Sequence, residues 1–117
     1  MEKLFDGEYR LMEVLWDSGA VNSTQLVRLC EQRLEWNKST TYTVLRKLKH
    51  KGAVRHENTL VTPVLTREQA VRERGEELER WAGGLTNFMT AFMSGRTLTA
   101  KEAEALKRLI DETMGEG

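Results

Sequence analysis

The chain has 117 residues, with 18 Lys and Arg against 18 Asp and Glu, so its formal net charge is zero. That length supports either one modest core or a small domain with a helical appendage whose apolar face needs a partner, and the residue pattern favours the second. No apolar run nears the roughly 20 residues that cross a bilayer, the N-terminus lacks a signal-peptide layout, and the single Cys30 excludes an internal disulfide, so a cytoplasmic protein without membrane insertion is expected.

In chain order, Asp6 can cap a first helix that runs to about Asp17, with Tyr9, Met12, Leu15 and Trp16 on its inward face and Gly19 as its stop. Asn22, with Gln25 three residues later, forms a capping-box start for a second helix through Leu34. Its inward stripe is Leu26, Leu29, Cys30 and Leu34, which makes Cys30 a small buried hydrophobe. Trp36 closes the turn into a third helix, for which Asn37 is the N-cap and Gly52 the stop.

Charge is concentrated on that third segment. Residues 36–55 carry Lys38, Arg46, Lys47, Lys49, Lys51 and Arg55 without one acidic side chain. Helical spacing turns Val44, Leu45 and Leu48 inward and leaves Tyr42, Thr43, Arg46, Lys47 and Lys49 facing out. A capped basic helix that opens with Ser39, Thr40, Thr41, Tyr42 and Thr43 suits a DNA major groove. The cations attract phosphates, while hydroxyls and the Tyr42 ring reach base edges and thymine methyls.

After Gly52, residues 53–65 read as a short two-stranded β-hairpin with Asn58 at its turn. Pro63 lacks a ladder donor, which predicts that the second strand lies at a sheet edge. Three helices and a hairpin make the winged helix-turn-helix plan, with a wing whose positive charge is little more than Arg55.

Thr66 with Gln69 opens a fourth helix bearing Val71, Arg74, Gly75, Leu78, Trp81 and Ala82 along one side, and Gly83 with Gly84 breaks it. Leu85, Phe88, Met89, Phe92 and Met93 then follow as a continuous apolar stripe on a segment too short to fold alone. Thr99 with Glu102 caps a last helix carrying Leu106, Leu109, Ile110 and Met114, with Leu98 and Ala103 as a hydrophobic staple. Residues 1–66 hold ten Lys and Arg against eight Asp and Glu, and residues 67–117 hold eight against ten. The expectation is therefore a mainly α protein with a small β-hairpin: a winged helix-turn-helix DNA-binding domain at 1–66 and a helical dimerisation domain at 67–117. Twofold pairing through Leu78, Trp81, Leu85, Phe88, Met89, Phe92, Met93, Leu106 and Ile110 buries the stripes and sets two basic helices about 34 Å apart, one duplex turn. The alternative is a monomer in which the C-terminal helices fold back onto the first helix.

Residues 9–16 (YRLMEVLW), residues 36–48 (WNKSTTYTVLRKL) and the Lys51-Gly52 pair resemble the penicillinase-repressor, or BlaI/MecI, family. The likeness is closest over residues 4–56 and continues more loosely through Gly83-Gly84 and residues 98–110. It implies a dimeric winged-helix repressor of a dyad-symmetric operator, controlling β-lactam resistance or related stress genes. By position, Asn37, Ser39, Thr40, Tyr42, Thr43 and Arg46 fall where the family contacts DNA, and Lys38, Lys47 and Arg55 complete the expected DNA-binding set. The resemblance also implies inactivation by a sensor protease or a protease downstream of it, at an Asn-Phe bond in the second helix of the C-terminal domain. Aligned from the glycine pair, that bond falls at Ala91-Phe92, where the phenylalanine is present and the asparagine is not. Asn87-Phe88 supplies the dipeptide one turn earlier, with a slip of four residues. A related branch senses copper through paired cysteine motifs near the C-terminus, which this chain lacks.

Catalysis is not expected. His50 and His56 stand six apart with no cysteine or acidic cluster at ligand spacing, so neither a metal nor a cofactor is called for. Trp16, Trp36 and Trp81 sit on apolar faces and are expected to pack in cores. The rival from another class is a winged-helix protein-interaction module whose third helix docks on an acidic protein.

Overall fold

A computed structural model describes residues 1–115, and in chain order the elements are α1 (Asp6–Ser18), β1 (Val21–Asn22), α2 (Ser23–Leu34), α3 (Lys38–His50), β2 (Val54–Glu57), β3 (Leu60–Pro63), α4 (Arg67–Ala82), α5 (Leu85–Met93) and α6 (Ala100–Thr113). Two units divide the chain, one spanning Met1–Glu76 and the other beginning at Glu77.

The first unit is a winged helix. Its core is built from Leu11, Met12, Val14 and Leu15 of α1, Leu26 and Cys30 of α2, and Leu45 and Leu48 of α3, closed by Val54 and Val61 of the sheet. Each fully buried leucine contributes about 1.5–3 kcal/mol, so Leu45 and Leu48 hold the inner face of α3 to the core. Tyr9, Trp16, Leu29, Leu34, Trp36 and Val44 pack half-buried around this centre. Ala70, in the first turn of α4, also belongs to it.

Local chemistry sets the boundaries. The Asn22 side chain accepts from the Gln25 amide at 2.8 Å while the Gln25 side chain accepts from the Asn22 amide at 3.2 Å, a reciprocal box opening α2. Thr66 with Gln69 opens α4 in the same way, and Thr99 with Glu102 opens α6. The start of α1 departs from expectation. Phe5, not Asp6, occupies the N-cap position, and Asp6 is already helical. Phenylalanine offers no acceptor, and instead the Glu8 carboxylate reaches back to accept from the Phe5 amide at 2.8 Å.

The wing differs too. It is a three-stranded antiparallel sheet ordered β1-β3-β2, not a two-stranded hairpin. Val21 pairs with Val61 and Asn22 with Leu60, and the Ser23 amide donates to the Thr59 carbonyl at 2.8 Å. β3 is thus the middle strand, which corrects the edge expectation for Pro63. The proline is tolerated because two-residue β1 stops at Val61, so Pro63 has a strand neighbour only on the β2 side, opposite Val54. Asn58 and Thr59 turn the hairpin with φ of 50° and 68°, both left-handed as a tight two-residue loop requires.

In the second unit α5 and α6 contain no buried residue. Phe88 and Phe92 stack with centroids 5.8 Å apart, and Arg96 lies 4.1 Å from the centroid of Phe92 while its Nε donates to the Phe92 carbonyl at 2.8 Å. Trp81 is 88 % exposed, which overturns its expected core role within a single chain, whereas Trp16 and Trp36 do pack against the first unit's core.

Candidate nucleic-acid interface

The site is the outer face of α3. Asn37 stands at its N-cap and accepts from the Thr40 amide at 2.8 Å, which fixes where the helix begins and which residues turn outward. Before it, Glu35 adopts a left-handed conformation, φ 57° and ψ 33°, and its amide and that of Trp36 donate to Glu31 and Cys30. This is a tight helix-to-helix turn made without glycine.

Ser39, Thr40, Thr43, Arg46, Lys47 and Lys49 are exposed, as are Asn37 and Lys38, while Tyr42 is half-buried with the Lys38 ammonium 6.0 Å from its ring centroid. The Thr43 hydroxyl donates to the Ser39 carbonyl at 2.9 Å, so its proton is used within the helix and its oxygen lone pairs and methyl remain for a ligand. Thr43, Arg46, Lys47, His50 and Lys51 line an open depression of about 310 Å³ along this face. Among the described residues, Arg46, Lys47, Lys49 and Arg55 have no carboxylate partner. Unneutralised guanidinium and ammonium groups beside free hydroxyl acceptors can bind phosphates and hydrogen-bond base edges.

Two members of the sequence-predicted surface are placed elsewhere. Thr41 is buried, with its hydroxyl donating to the Asn37 carbonyl at 3.2 Å, and so does not present itself with its neighbours. Its side chain also hydrogen-bonds Cys30, whose thiol is pushed up mainly by burial, with the Thr41 bond opposing that shift. Lys51 is withdrawn from solvent. Its ammonium donates to Glu8 Oε1 at 2.8 Å and to the Lys3 carbonyl at 2.7 Å, and sits 4.6 Å from the Phe5 ring centroid. Sequence alone gave no sign of this, because Glu8 lies 43 residues away on α1.

Arg55 is exposed on β2 opposite Thr62, and with Glu57, Asn58, Leu60 and Thr62 it lines a hollow of about 460 Å³. Glu57 adjoins the turn, so the wing tip carries an acidic side chain. Among the described residues no three His, Cys, Asp or Glu side chains are placed to hold a metal ion, and no helix is long and apolar enough to cross a membrane. On the second unit, Ala91 and Phe92 are exposed near the C-terminal end of α5, and Leu85, Leu109 and Ile110 are exposed as well. Phe88, Met89, Met93 and Leu106 are half-buried, and Leu78 is 37 % exposed.

The penicillinase repressor family profile matches residues 5–112. The penicillinase repressor of Bacillus licheniformis is 23 % identical over 116 residues, covering 94 % of this chain and 91 % of that protein. An uncharacterised 16.5 kDa protein of Latilactobacillus sakei is 26 % identical over 113 residues, with 91 % of this chain matched to 65 % of that longer one. Among solved structures, the DNA-binding domain of the repressor BlaI superposes with a TM-score of 0.53 at 25 % identity, covering 59 % of this chain and 93 % of that domain. A profile match over nearly the whole length, with a winged-helix first unit of the same fold, places this chain in the penicillinase repressor family.

Proposed function

We propose that the chain is a homodimeric transcriptional repressor in which each copy lays α3 in the major groove of one half of a dyad-symmetric operator. Residues 1–66 serve as the DNA-binding domain and 67–117 as the dimerisation domain. The observation that carries this reading is the two-faced character of α3: Thr41, Leu45 and Leu48 lock it to the core, and the opposite face leaves Asn37, Ser39, Thr40, Thr43, Arg46 and Lys47 exposed to solvent. Arg46 is the side chain suited to bidentate recognition of guanine, Asn37, Ser39, Thr40 and Thr43 to base edges, and the Tyr42 ring to a thymine methyl. Lys38, Lys47 and Arg55 neutralise phosphates. The acidic wing tip restricts the wing's part to Arg55.

Dimerisation rests on the apolar surface of the second unit, where Trp81, Leu85, Phe92, Leu109 and Ile110 are exposed in a single chain. An oily surface of that kind is what a partner covers. The regulated genes that fit the family are those of β-lactam resistance or related stress responses. Inactivation by a sensor protease or its downstream protease is assigned to Ala91-Phe92, a bond in a helix of nine residues with nothing buried, which local unwinding can open to a protease.

Selection of bound sequences from random duplex by the full chain tests the function directly. The expected product is an inverted repeat whose half-sites lie about one turn apart. For six to ten phosphate contacts, affinity falls on the order of a thousandfold or more between 50 and 200 mM salt. Recovery of no consensus, together with capture of acidic proteins in preference to duplex, would instead identify a protein-interaction module.

A further inference from the structure

The outward face of α3 does not end with its lysines and arginines. At about 100° per residue, His50 falls within roughly 20° of Thr43 and on the far side of the helix from Thr41, Leu45 and Leu48, which are buried in the core. Lys49 is exposed as well, but the same spacing turns it about 120° away from Thr43. His50 is exposed and lines the open depression of about 310 Å³ together with Thr43, Arg46, Lys47 and Lys51. Of these neighbours Lys51 is withheld from a ligand, because Glu8 and the Lys3 carbonyl hold its ammonium. That leaves His50, the last residue of α3, as the side chain on which the reading face ends.

We propose that His50 is a further DNA contact of the reading helix, one that binds a backbone phosphate only in its protonated form, so that each half-site engaged takes up a proton. This rests on the function proposed above. His50 stands about 10 Å along the helix axis from Thr43, close to the roughly 12 Å width of a major groove. With the N-terminal residues of α3 at base edges, its ring belongs beside the phosphates that flank the groove. A neutral imidazole has one N–H and no charge with which to release a counterion, whereas imidazolium donates from both nitrogens and carries that charge. The change between them lies near pH 6.5 for an unperturbed ring. The charged side chains that share the depression with His50 are Arg46, Lys47 and Lys51, all positive. From α1, Glu8 reaches this end of α3 and is engaged by Lys51; β2, also packed on α3, carries Arg55 and His56; α2 meets α3 at Thr41, through Cys30. Among the described residues His50 has no carboxylate partner. A phosphate in the complex supplies the negative charge that favours the imidazolium, and the proton follows it.

The test measures affinity and its salt slope for the full chain on a duplex carrying one selected half-site, at about pH 6 and about pH 8, either side of the imidazole range. Lowering the pH should tighten wild-type binding roughly five- to tenfold and steepen the slope by about 0.9, the share of one phosphate. His50→Lys should show the steeper slope at both pH values, and His50→Gln the shallower slope at both. Because His50 is exposed, neither change disturbs the core. Both variants keep His56, so a low-pH gain that persists in His50→Gln comes from elsewhere and overturns the proposal. A wild-type slope that is the same at both pH values overturns it as well. If the wild-type chain shows no preference at either pH for the selected half-site over a scrambled one, the repressor reading itself fails and takes the proposal with it.

Discussion

The burial of Lys51 yields a prediction with two separable readouts. Its side chain is 11 % exposed and that of Glu8 4 %, at 2.8 Å, and Glu8 Oε1 also accepts from the Phe5 amide. Glu8 Oε2 is buried without a hydrogen-bond partner among the described residues. Removing one member of such a pair strands the other charge out of water, which costs about 3–5 kcal/mol, whereas exchanging both for apolar groups of similar volume is often neutral. Lys51→Met should therefore destabilise the protein by about that amount in urea unfolding, and Glu8→Met with Lys51→Met together should recover most of the loss. The second readout is DNA binding. Each phosphate contact adds about 0.9 to the slope of log affinity against log salt. Lys47→Met should lower that slope by one contact per copy, two in the dimer, and the double Glu8/Lys51 variant should leave it unchanged. A stability loss under about 1 kcal/mol for Lys51→Met, accompanied by a reduced slope, would refute the pairing and return Lys51 to the DNA surface.

Other consequences are equally open to measurement. Arg46→Ala is expected to weaken operator binding and relax selectivity at one base pair by roughly 1–3 kcal/mol; equal losses on every sequence would make Arg46 a phosphate contact. Phe92→Asp places a charge beside Phe88, 5.8 Å away in the wild-type stack, and should halve the mass seen by sedimentation while abolishing dyad preference. An unchanged dimer would move the interface off α5. Glu35→Gly relieves a left-handed residue with φ 57° and should raise stability by up to about 1 kcal/mol, a gain that an unaltered urea midpoint would contradict. Glu102, held below its ordinary 4.5 by its hydrogen bonds with Thr99, and Asp17, held below 3.8 by Arg67 and Arg33, both favour the folded state above those ordinary values. Their contributions fade as pH falls through the lower folded values, so acid should melt the α6 cap only below 4.5 and open the Asp17 cluster only below 3.8. In Thr99→Ala the part of the acid transition that belongs to Glu102 should shift upward, and no shift would dismiss the cap as its cause.

The parts of this protein that were legible in its sequence are those whose causes lie within a few residues. The boxes at Asn22, Thr66 and Thr99 join a side chain to an amide three positions away, and helical spacing alone sorted Leu45 and Leu48 from Arg46 and Lys47. What escaped has distant causes. β1 is two residues long and exists only because β3, some 40 positions later, pairs with it, and the same addition turned Pro63's strand from an edge into a middle strand. Glu35 makes a turn normally marked by glycine, and Thr41 sits among hydroxyls that face out while its own is drawn inward towards Cys30 and the Asn37 carbonyl.

Reading a run of charge as a solvated face failed at Lys51 for the same reason, and that failure changes the electrostatics of the proposed complex. With Lys51 engaged by Glu8, residues 36–55 keep Lys38, Arg46, Lys47, Lys49 and Arg55 for a ligand. Two copies present ten such cations, and at about 0.9 per neutralised phosphate the salt slope contributed by these segments has a ceiling near 9. A measured slope well above it would require cations outside the reading helix and wing. Because the whole chain has no net charge to draw it to DNA, a slope near the ceiling would mean that nearly every free cation in this stretch touches a phosphate, leaving Arg46 little freedom to read a base. A slope nearer about 5 to 7 leaves one Arg46 per half-site for guanine and the wing's Arg55 optional, so the salt titration constrains which side chain discriminates sequence before any base is substituted.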